Sequence, residues 1–293
     1  MDRITTVDAM QRFADRVRGS GETIALVPTM GALHAGHLAL VREAVDRADR
    51  VVVSIFVNPT QFGPDEDYEA YPRDLDEDEA KLRELGVDAV FAPSVEEMYP
   101  NAGGPFDDPI TWVTVDRLTD HLCGAYRDGH FRGVTTVVAK LLHACKPHVA
   151  VFGTKDAQQL VIIRRMVEDL LMDVNIVGVE TVREPDGLAA SSRNAYLNDD
   201  ERRQARVLSE AVEAAKARIF DGEQEAEPVV EAMQQAIAAA PDGEVQYAEV
   251  VDAHTLQPVD AIRPGDDVVA AVAVFFGDTR LIDNAFISVP ERD

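Results

Sequence analysis

The 293-residue sequence is poor in cysteine, in lysine and in long apolar runs. Its two cysteines, Cys123 and Cys145, lack the spacing of metal ligands and lie in apolar stretches, so we expect reduced packing residues. We find no basic, apolar leader at the N-terminus, and the longest purely apolar run, residues 268–276, is too short to cross a bilayer. We therefore expect a soluble, cytoplasmic protein with no membrane partner.

Positive charge is scarce as well. The chain has 28 basic and 53 acidic residues, which gives a formal net charge of −25, and only five of the basic residues are lysine. This balance disfavours nucleic acid as a partner. The field of the chain would also repel small anions, so any site for an anion must be locally positive. We interpret the acidity as suited to high salt, where repulsion is screened; the alternative is an acidic protein of ordinary salt tolerance.

The length exceeds that of one average domain, and a hydrophobic content of 46% allows a sizeable core. Strands and helices are expected to alternate over residues 1–182. The expected strands are 23–27, 51–57, 88–92, 111–115, 149–153 and 173–182, and the expected helices are 36–48, 73–85, 133–145 and 156–171. Such alternation predicts an α/β fold with a Rossmann-like doubly wound parallel sheet.

The pattern changes beyond the polar, turn-forming segment 183–194. Two alanine-rich and glutamate-rich helices, 199–220 and 228–239, precede strands at 245–251, 268–276 and 281–287. A run of helices followed by strands predicts a small α+β domain. We therefore expect a first domain over residues 1–182 and a smaller second domain over residues 183–293.

Two histidines lie where the first expected strand gives way to a helix. Pro28 and Gly31 supply the turn, and His34 and His37 are three residues apart, so they share one face of the helix. A helix N-terminus presents unpaired N–H groups and a partial positive charge, which suits a phosphate. Both imidazoles can therefore donate to a triphosphate. The alternative is a pair of ordinary surface histidines.

Two further clusters carry groups that bind small anions. Gln61 follows the strand at 51–57, and its amide can pair with the hydroxyl and carboxylate groups of a small substrate. Arg127 and Arg132 flank a turn that opens into a helix and can hold a phosphate or carboxylate in bidentate fashion. The alternatives are a plain loop glutamine and exposed arginines in surface ion pairs. We expect His130, in the same turn, to be structural.

A scarce lysine lies at a third turn from strand to helix. Lys155 follows the strand at 149–153, and its ammonium group can neutralise an α-phosphate oxygen during phosphoryl transfer. Gln159 lies four residues further on and is expected to face the same sheet edge. At the proposed domain junction, Ser191, Ser192 and Arg193 offer further donors for a triphosphate. The alternative for that loop is a linker with incidental serines.

These motifs resemble a known family. The segment His34-Ala35-Gly36-His37 resembles the HxGH nucleotidyltransferase superfamily, and residues 58–62 with 71–73 are similar to the pantothenate synthetase family within it. Class I aminoacyl-tRNA synthetases share the first motif, but their KMSKS sequence is absent where residues 186–194 lie. The similarity runs through five motifs from about residue 24 to residue 198, with a weaker match at 277–284. Thr154 and Ala190 depart from the family pattern.

The resemblance implies the following site. ATP is a substrate, and its site is formed by Met30, Gly31, His34, His37, Gly153, Thr154, Lys155, Asp156, Val182, Ala190, Ser191, Ser192 and Arg193. The main catalytic groups are His37, His34, Lys155 and Arg193, with His37 as proton donor or as stabiliser of phosphate charge. Gln61 and Gln159 hold pantoate, Gln61 also lies near β-alanine, and we add Arg127 as a substrate ligand.

The family reaction joins pantoate to β-alanine through a pantoyl adenylate, and the resemblance implies Mg²⁺ and a homodimer. Asp78 aligns with an acidic position that could contact the metal, although it lies in an acidic helix where a solvated carboxylate is favoured. Two alternatives remain. One is an adenylyltransferase of the same superfamily that uses another acceptor, and the other is a protein that binds ATP without catalysis.

Overall fold

The computed structural model describes residues 1–64, 66–100 and 109–291. The chain divides into two units. The first unit consists of Met1–Val115, Arg127–Thr154 and Ile162–Glu180, and the second unit consists of Asp116–Tyr126, Lys155–Val161 and Thr181–Asp293. The domain boundary that we placed at residue 182 stays a prediction.

The first unit contains a six-stranded sheet in which all neighbouring strands are parallel. The strands are β1 (Asp2–Ile4), β2 (Ile24–Thr29), β3 (Arg50–Ile55), β4 (Ala89–Phe91), β5 (Val149–Gly153) and β6 (Asn175–Val179). Their order across the sheet is β1-β4-β3-β2-β5-β6. The chain therefore runs from β2 outward to β4, returns to β5 beside β2, and continues outward to β6. This reversal confirms the predicted doubly wound sheet.

Seven helices of the described ranges lie between or after these strands in the sequence, and crossovers between parallel strands are in general right-handed. In chain order they are α1 (Val7–Gly19), α2 (Ala35–Arg47), α3 (Leu75–Glu84), α4 (Val95–Met98), α5 (Cys123–Tyr126), α6 (His130–Cys145) and α7 (Ala157–Asp169). Short 3-10 turns lie at Pro59–Gln61 and Thr154–Asp156. The strand order reverses between β2 and β5, and open α/β sheets bind ligands at the carboxyl ends of such a pair.

Apolar residues at helical and strand spacing explain this packing. Leu40, Val41 and Ala44 form the buried face of α2, and they belong to the same core cluster as β-branched residues of β2 and β3. Strand β3 is buried along most of its length, as expected for a parallel strand covered on both faces. Burial of these side chains fixes α2 on the sheet, and so fixes the position of its first turn.

The strand predicted at 111–115 is wrong. This segment is not a strand, and side chains of α6 satisfy its backbone instead. Val113 donates its N–H to Thr136 Oγ1 at 3.0 Å, and its carbonyl accepts from Thr135 Oγ1 at 2.6 Å. The β-branched pattern of the segment favoured a strand, but hydroxyl groups of a helix supply the partners that a neighbouring strand would give.

The second unit contains a three-stranded antiparallel sheet and three helices of 7 to 15 residues. The helices are α8 (Asp199–Ala205), α9 (Val207–Asp221) and α10 (Ala226–Ile237), and the strands are β7 (Gly243–Asp252), β8 (Asp267–Phe276) and β9 (Thr279–Ser288). Strand β8 lies between β7 and β9 and is buried almost throughout, so its apolar run is a central strand. The predicted α+β composition is confirmed.

Other details differ from the expectation. The single helix predicted at 199–220 is divided at Arg206, and β1 and α1 precede the first element that we predicted. Each of the remaining predicted elements overlaps an observed one. Cys123 and Cys145 are buried and free, as expected for reduced packing residues. Within the described ranges, no helix is both long and apolar enough to span a membrane.

Candidate active site

The two histidines cap helix α2 in the first unit. His34 is the N-cap residue, and its Nδ1 accepts a hydrogen bond from the Gly36 N–H at 3.2 Å. His37 Nδ1 in turn accepts from the His34 N–H at 3.5 Å, and the two ring centroids are 4.0 Å apart. Because both Nδ1 atoms are acceptors, each neutral imidazole carries its proton on Nε2. The pair therefore places two ring N–H groups near a helix N-terminus, a position that favours phosphate.

The loop between β2 and α2 is held by a buried acid. Gly31 and Ala32 both have positive φ, at 85° and 51°, and Asp78 of α3 accepts the N–H groups of Ala32 and Leu33 at 2.9 and 2.8 Å. Only 2% of Asp78 is exposed, so the solvated carboxylate that we favoured is wrong. Burial raises the pKa of Asp78, and this effect outweighs the two backbone hydrogen bonds that lower it.

A buried asparagine orients Gln61. Asn58 is 1% exposed, and its Nδ2 donates to Gln61 Oε1 at 3.1 Å and to the Gly133 carbonyl at 3.2 Å. Gln61 Nε2 then lies 3.2 Å from Met30 Sδ, so two predicted site residues from different strand ends are brought into contact. Our sequence analysis assigned no role to Asn58, although it lies in the segment that resembles the family.

Tyr99 completes this group. Its hydroxyl donates to Asn58 Oδ1 at 2.7 Å, and burial raises its pKa to about 12. The tyrosine is therefore a neutral donor at physiological pH. Nothing in the sequence near Tyr99 marks it as part of the site, since it lies 38 residues beyond Gln61 and depends on the tertiary fold for its contact.

Arg127 has protein partners. Its Nε and Nη2 donate to the two oxygens of Glu66, each at 2.7 Å, and its Nη1 lies 3.0 Å from His130 Nε2. His130 Nδ1 lies 2.7 Å from the Gln61 carbonyl. The structure thus gives Arg127 an indirect link to Gln61, and direct substrate binding by Arg127 stays a prediction. Arg132 instead lies over the Trp112 ring, with 4.2 Å between its Cζ and the ring centroid.

Lys155 lies in the second unit, in the 3-10 turn that precedes α7. Its Nζ is 3.9 Å from Asp156 Oδ1, and its carbonyl accepts a hydrogen bond from Asn284 Nδ2 at 2.6 Å. Asn284 belongs to the segment 277–284, which gave only a weak match in the sequence. Through this hydrogen bond, the segment 277–284 fixes the backbone of the predicted catalytic lysine.

The neighbour of the predicted pantoate ligand Gln159 is a structural residue. Gln158 is buried, and its Nε2 donates to the carbonyls of Leu118 and His121 at 2.9 and 2.8 Å. Its Oε1 accepts the Gly124 N–H at 3.3 Å. Gln158 thereby ties the segment Asp116–Tyr126 to the start of α7, and Gln159 itself is half-buried.

The serine-containing loop is an ordered turn. Ala190 donates its N–H to the Val182 carbonyl at 2.9 Å, which brings together two residues predicted to contact ATP. Ser191 Oγ accepts the Arg193 N–H at 3.3 Å and caps the 3-10 turn Ser192–Tyr196. These contacts fix the backbone of the loop, and binding of a ligand by its serines stays a prediction.

Two buried polar residues support this loop from within the second unit. Asp283 is 1% exposed and accepts two hydrogen bonds from Arg183, at 2.6 and 3.1 Å. Asn194 donates to Glu184 Oε1 at 2.7 Å and to the Ala189 carbonyl at 3.0 Å. Asp283 and Asn194 lie in the segments 277–284 and 186–194, but the sequence pattern does not distinguish a buried polar residue from a solvated one.

The fit to a protein-bound metal is poor. Across the ranges that the structure covers, no group of three or more His, Cys, Asp and Glu side chains is placed to hold a metal ion. The one candidate from the sequence, Asp78, has an N–H partner on each carboxylate oxygen.

A doubly wound parallel sheet with hydrogen-bond donors at a strand-to-helix turn defines an α/β protein of the nucleotide-binding class. A family model described as pantoate-beta-alanine ligase matches residues 2–286. The chain belongs to this ligase family.

Individual relatives are similar to this chain over almost its full length. A pantothenate synthetase of Salinibacter ruber is 68% identical over 291 residues, which cover 99% of each chain, and one of Thermotoga petrophila is 50% identical over 98% of this chain and 100% of the relative. The crystal structure of pantothenate synthetase from Thermus thermophilus has a TM-score of 0.90 at 45% identity and covers 99% of this chain and 100% of its own.

A second solved structure holds ligands. The pantoate-beta-alanine ligase of Francisella tularensis, complexed with beta-gamma ATP and beta-alanine, has a TM-score of 0.78 at 31% identity and covers 98% of this chain and 97% of its own.

Proposed function

We propose that this chain condenses pantoate with β-alanine in two steps at the expense of ATP. In the first step the pantoate carboxylate attacks the α-phosphate of ATP, which gives pantoyl adenylate and pyrophosphate. In the second step the β-alanine amine attacks the acyl carbon and displaces AMP, which gives pantothenate. No protein nucleophile is required, so catalysis consists of positioning and charge stabilisation.

In the first unit, the hydrogen bonds of the histidine pair support this proposal. His34 and His37 both use Nδ1 as an acceptor at the start of α2, so both Nε2–H groups are donors for the phosphates of ATP. His37 either donates a proton or stabilises charge on the leaving pyrophosphate. Met30 and Gly31 form the preceding turn, where the backbone approaches the nucleotide.

Gln61 and Gln159 hold pantoate in this proposal, and Gln61 also lies near β-alanine. The amide of Gln61 is held by Asn58 and contacts Met30, which supports a fixed orientation toward a small polar substrate. Arg127 is kept as a candidate substrate ligand, although its ion pair with Glu66 favours an indirect role.

The remaining residues serve the nucleotide. Lys155 neutralises an α-phosphate oxygen, and Arg193 stabilises charge on the triphosphate. Further ATP contacts are proposed for Gly153, Thr154, Asp156, Val182, Ala190, Ser191 and Ser192. The ordered turns around Lys155 and Ser191 support these assignments, since a fixed backbone loses less entropy when a ligand binds.

Mg²⁺ is proposed as a companion of ATP. A magnesium ion bound to phosphate oxygens offsets their negative charge and usually keeps several of its waters, so it needs few protein ligands. This mode agrees with the poor fit of Asp78 to a metal, and the residues named above act without a protein-held ion.

The experiment is a product assay with variants. Wild-type protein with ATP, Mg²⁺ and pantoate should release pyrophosphate, and pantothenate should form only when β-alanine is added. His34→Ala and Lys155→Ala should each lower adenylate formation by about a hundredfold or more, because each removes one donor to the transition state. Near-normal turnover in either variant would contradict its assignment.

Matched controls are available in the same chain. Lys216 pairs with Glu213 on the surface of α9, and His254 lies in a turn with 77% of its side chain exposed. Lys216→Ala and His254→Ala should therefore retain activity. Pyrophosphate release without pantoate would indicate another acceptor, and ATP binding without either product would indicate a protein that binds ATP without catalysis.

Three wider properties are proposed on the resemblance or on composition alone. We place the protein in the cytoplasm as a homodimer, in keeping with the resemblance and with a biosynthetic reaction. We also assign the HxGH pattern of the superfamily to the segment 34–37. Adaptation to high salt is proposed from the net charge of −25.

A further inference from the structure

A buried carboxylate shapes the loop that carries the histidine pair. Asp78 lies in the first turn of α3 and accepts the N–H groups of Ala32 and Leu33, one on each carboxylate oxygen. From the next turn of the same helix, Lys81 donates to the Leu33 carbonyl at 2.9 Å. Two side chains of α3 therefore satisfy three of the four backbone polar groups of Ala32 and Leu33.

The loop needs this support because its conformation is unusual. Ala32 has a positive φ although it has a Cβ, and such residues persist only where the surroundings hold them. At Gly31 the approach is so close that an added Cβ would lie 2.9 Å from Asp78 Oδ2 and 3.1 Å from Ile55 Cγ2. The next residue after Leu33 is His34, the N-cap of α2.

We infer that Asp78 is a positioning residue, which fixes the β2–α2 loop and thereby the two Nε2–H donors of His34 and His37. The inference rests on the proposed function for the ATP role of the pair. It differs from a metal role, in which the carboxylate would hold an ion rather than the backbone. Asp78 acts through its two hydrogen bonds to the loop backbone.

The first test is Asp78→Asn, which keeps the size of the side chain but replaces one acceptor oxygen with an NH₂ group. That group would face a backbone N–H of the loop, so one hydrogen bond is lost and two donors oppose each other. The kcat for adenylate formation should fall by about 10- to 100-fold, because a small displacement of a catalytic group has an effect of this order. The KM for pantoate should change little, since Gln61 is held by Asn58.

The magnesium dependence separates the two roles. For a positioning residue, the loss in kcat should remain constant as Mg²⁺ is raised to saturation, and the variant should also bind ATP more weakly in metal-free buffer. Restoration of activity by excess Mg²⁺ would overturn the inference and indicate a metal ligand. Unchanged kcat in the variant would overturn it as well.

A spectroscopic readout does not depend on turnover. The imidazole NMR signals of His34 and His37 should shift in Asp78→Asn, while the signal of the exposed His254 in the second unit should not. The matched control is Asp76→Asn, because Asp76 belongs to the same helix turn but is 89% exposed and pairs with Arg3 on the surface. Unshifted imidazole signals in Asp78→Asn would count against the inference.

Two further variants keep the test decisive. If Asp78→Asn does not fold, Lys81→Met removes the bond to the Leu33 carbonyl and should produce a smaller loss in kcat and the same two imidazole shifts. His34→Ala and His37→Ala test the proposed function separately. If these two variants are inactive while Asp78→Asn and Lys81→Met behave as wild type, the inference fails and the proposed function stands.

Discussion

At the scale of single residues, Glu66, Arg127 and His130 form a chain of hydrogen bonds that ends on the backbone of Gln61. Arginine can only donate, so His130 Nε2 accepts from Arg127 and Nδ1 donates to the Gln61 carbonyl. This order of donors assigns His130 a neutral tautomer. Protonation of His130 at Nε2 would place an N–H group against the guanidinium group of Arg127. The hydrogen bond between these two side chains would then be lost.

The carboxylate of Glu66 allows a prediction of how the stability of the protein depends on pH. Burial alone would raise the pKa of Glu66, but the hydrogen bonds and charge of Arg127 outweigh it and lower the pKa below the ordinary value of 4.5. A carboxyl group with a lowered pKa in the folded state stabilises the protein above the pKa of the unfolded chain. That stabilisation is lost as the pH falls through the folded pKa.

We therefore expect Glu66→Gln to lower the free energy of unfolding by about 1–3 kcal/mol at neutral pH. The difference from wild type should shrink as the pH falls below about 4.5, since the wild-type carboxylate then takes up its proton. Urea unfolding of both proteins over this pH range is the measurement. The exposed neighbour Glu69→Gln serves as control, and a difference for Glu66→Gln that stays constant with pH would refute the argument.

At the scale of elements, α6 packs directly on the 3-10 turn that carries Gln61. Gly133 of α6 lies so close to this turn that an added Cβ would be 2.2 Å from the Thr60 carbonyl oxygen and 2.8 Å from Gln61 Cα. Both contacts are to backbone, which cannot rotate away as a side chain can. The absence of a side chain at Gly133 thus allows the helix and the turn to meet.

We predict that Gly133→Ala pushes the turn away from α6. It should lower the free energy of unfolding by about 1–3 kcal/mol or more through overpacking, and raise the KM for pantoate because Gln61 moves with the turn. Thermal unfolding and pantoate saturation curves measure the two effects. In the control Gly19→Ala at the end of α1, no atom lies within 4 Å of the added Cβ, so that variant should match wild type. A stable Gly133→Ala with normal pantoate saturation would show that the contact is unimportant.

At the scale of the whole molecule, the dominant quantity is the net charge of −25. Like charges repel one another in the folded state and also repel the anions ATP and pantoate. Many of the described ion pairs are on the surface, where such pairs contribute little to stability. Added salt screens the repulsion and also weakens the surface ion pairs. The gain in stability from the first effect should therefore exceed the loss from the second.

We expect the Tm to rise by at least about 4 °C between roughly 0.1 M and 1 M salt, over which the Debye length falls from about 10 Å to about 3 Å. The KM for ATP should fall over the same range. Thermal unfolding in NaCl and in KCl at equal ionic strength measures the effect, and similar results in the two salts would assign it to screening. A Tm that falls with salt would contradict adaptation to high salt.

Much of the fold could be predicted from the sequence because local patterns encode it. The apolar runs of β2, β3 and β5 and the helical spacing of α2 predicted the doubly wound parallel sheet, whereas the order of its strands comes from the tertiary structure. The pattern failed at residues 111–115, where β-branched residues favoured a strand. There Thr135 and Thr136 of a distant helix bind the backbone, and spacing along the chain carries no information about such a partner.

For the candidate site, the sequence by itself determined the chemical groups and their placement at strand-to-helix turns, since histidines three residues apart share a helix face whatever the rest of the chain does. Only the tertiary structure decided what holds them. From its sequence context Asp78 was expected to be one solvated acid among several, and no role was predicted for Asn58, Tyr99 or Asn284. A hydrogen bond between residues tens of positions apart depends on where the packed elements bring them, and that depends on the burial of apolar side chains throughout the unit.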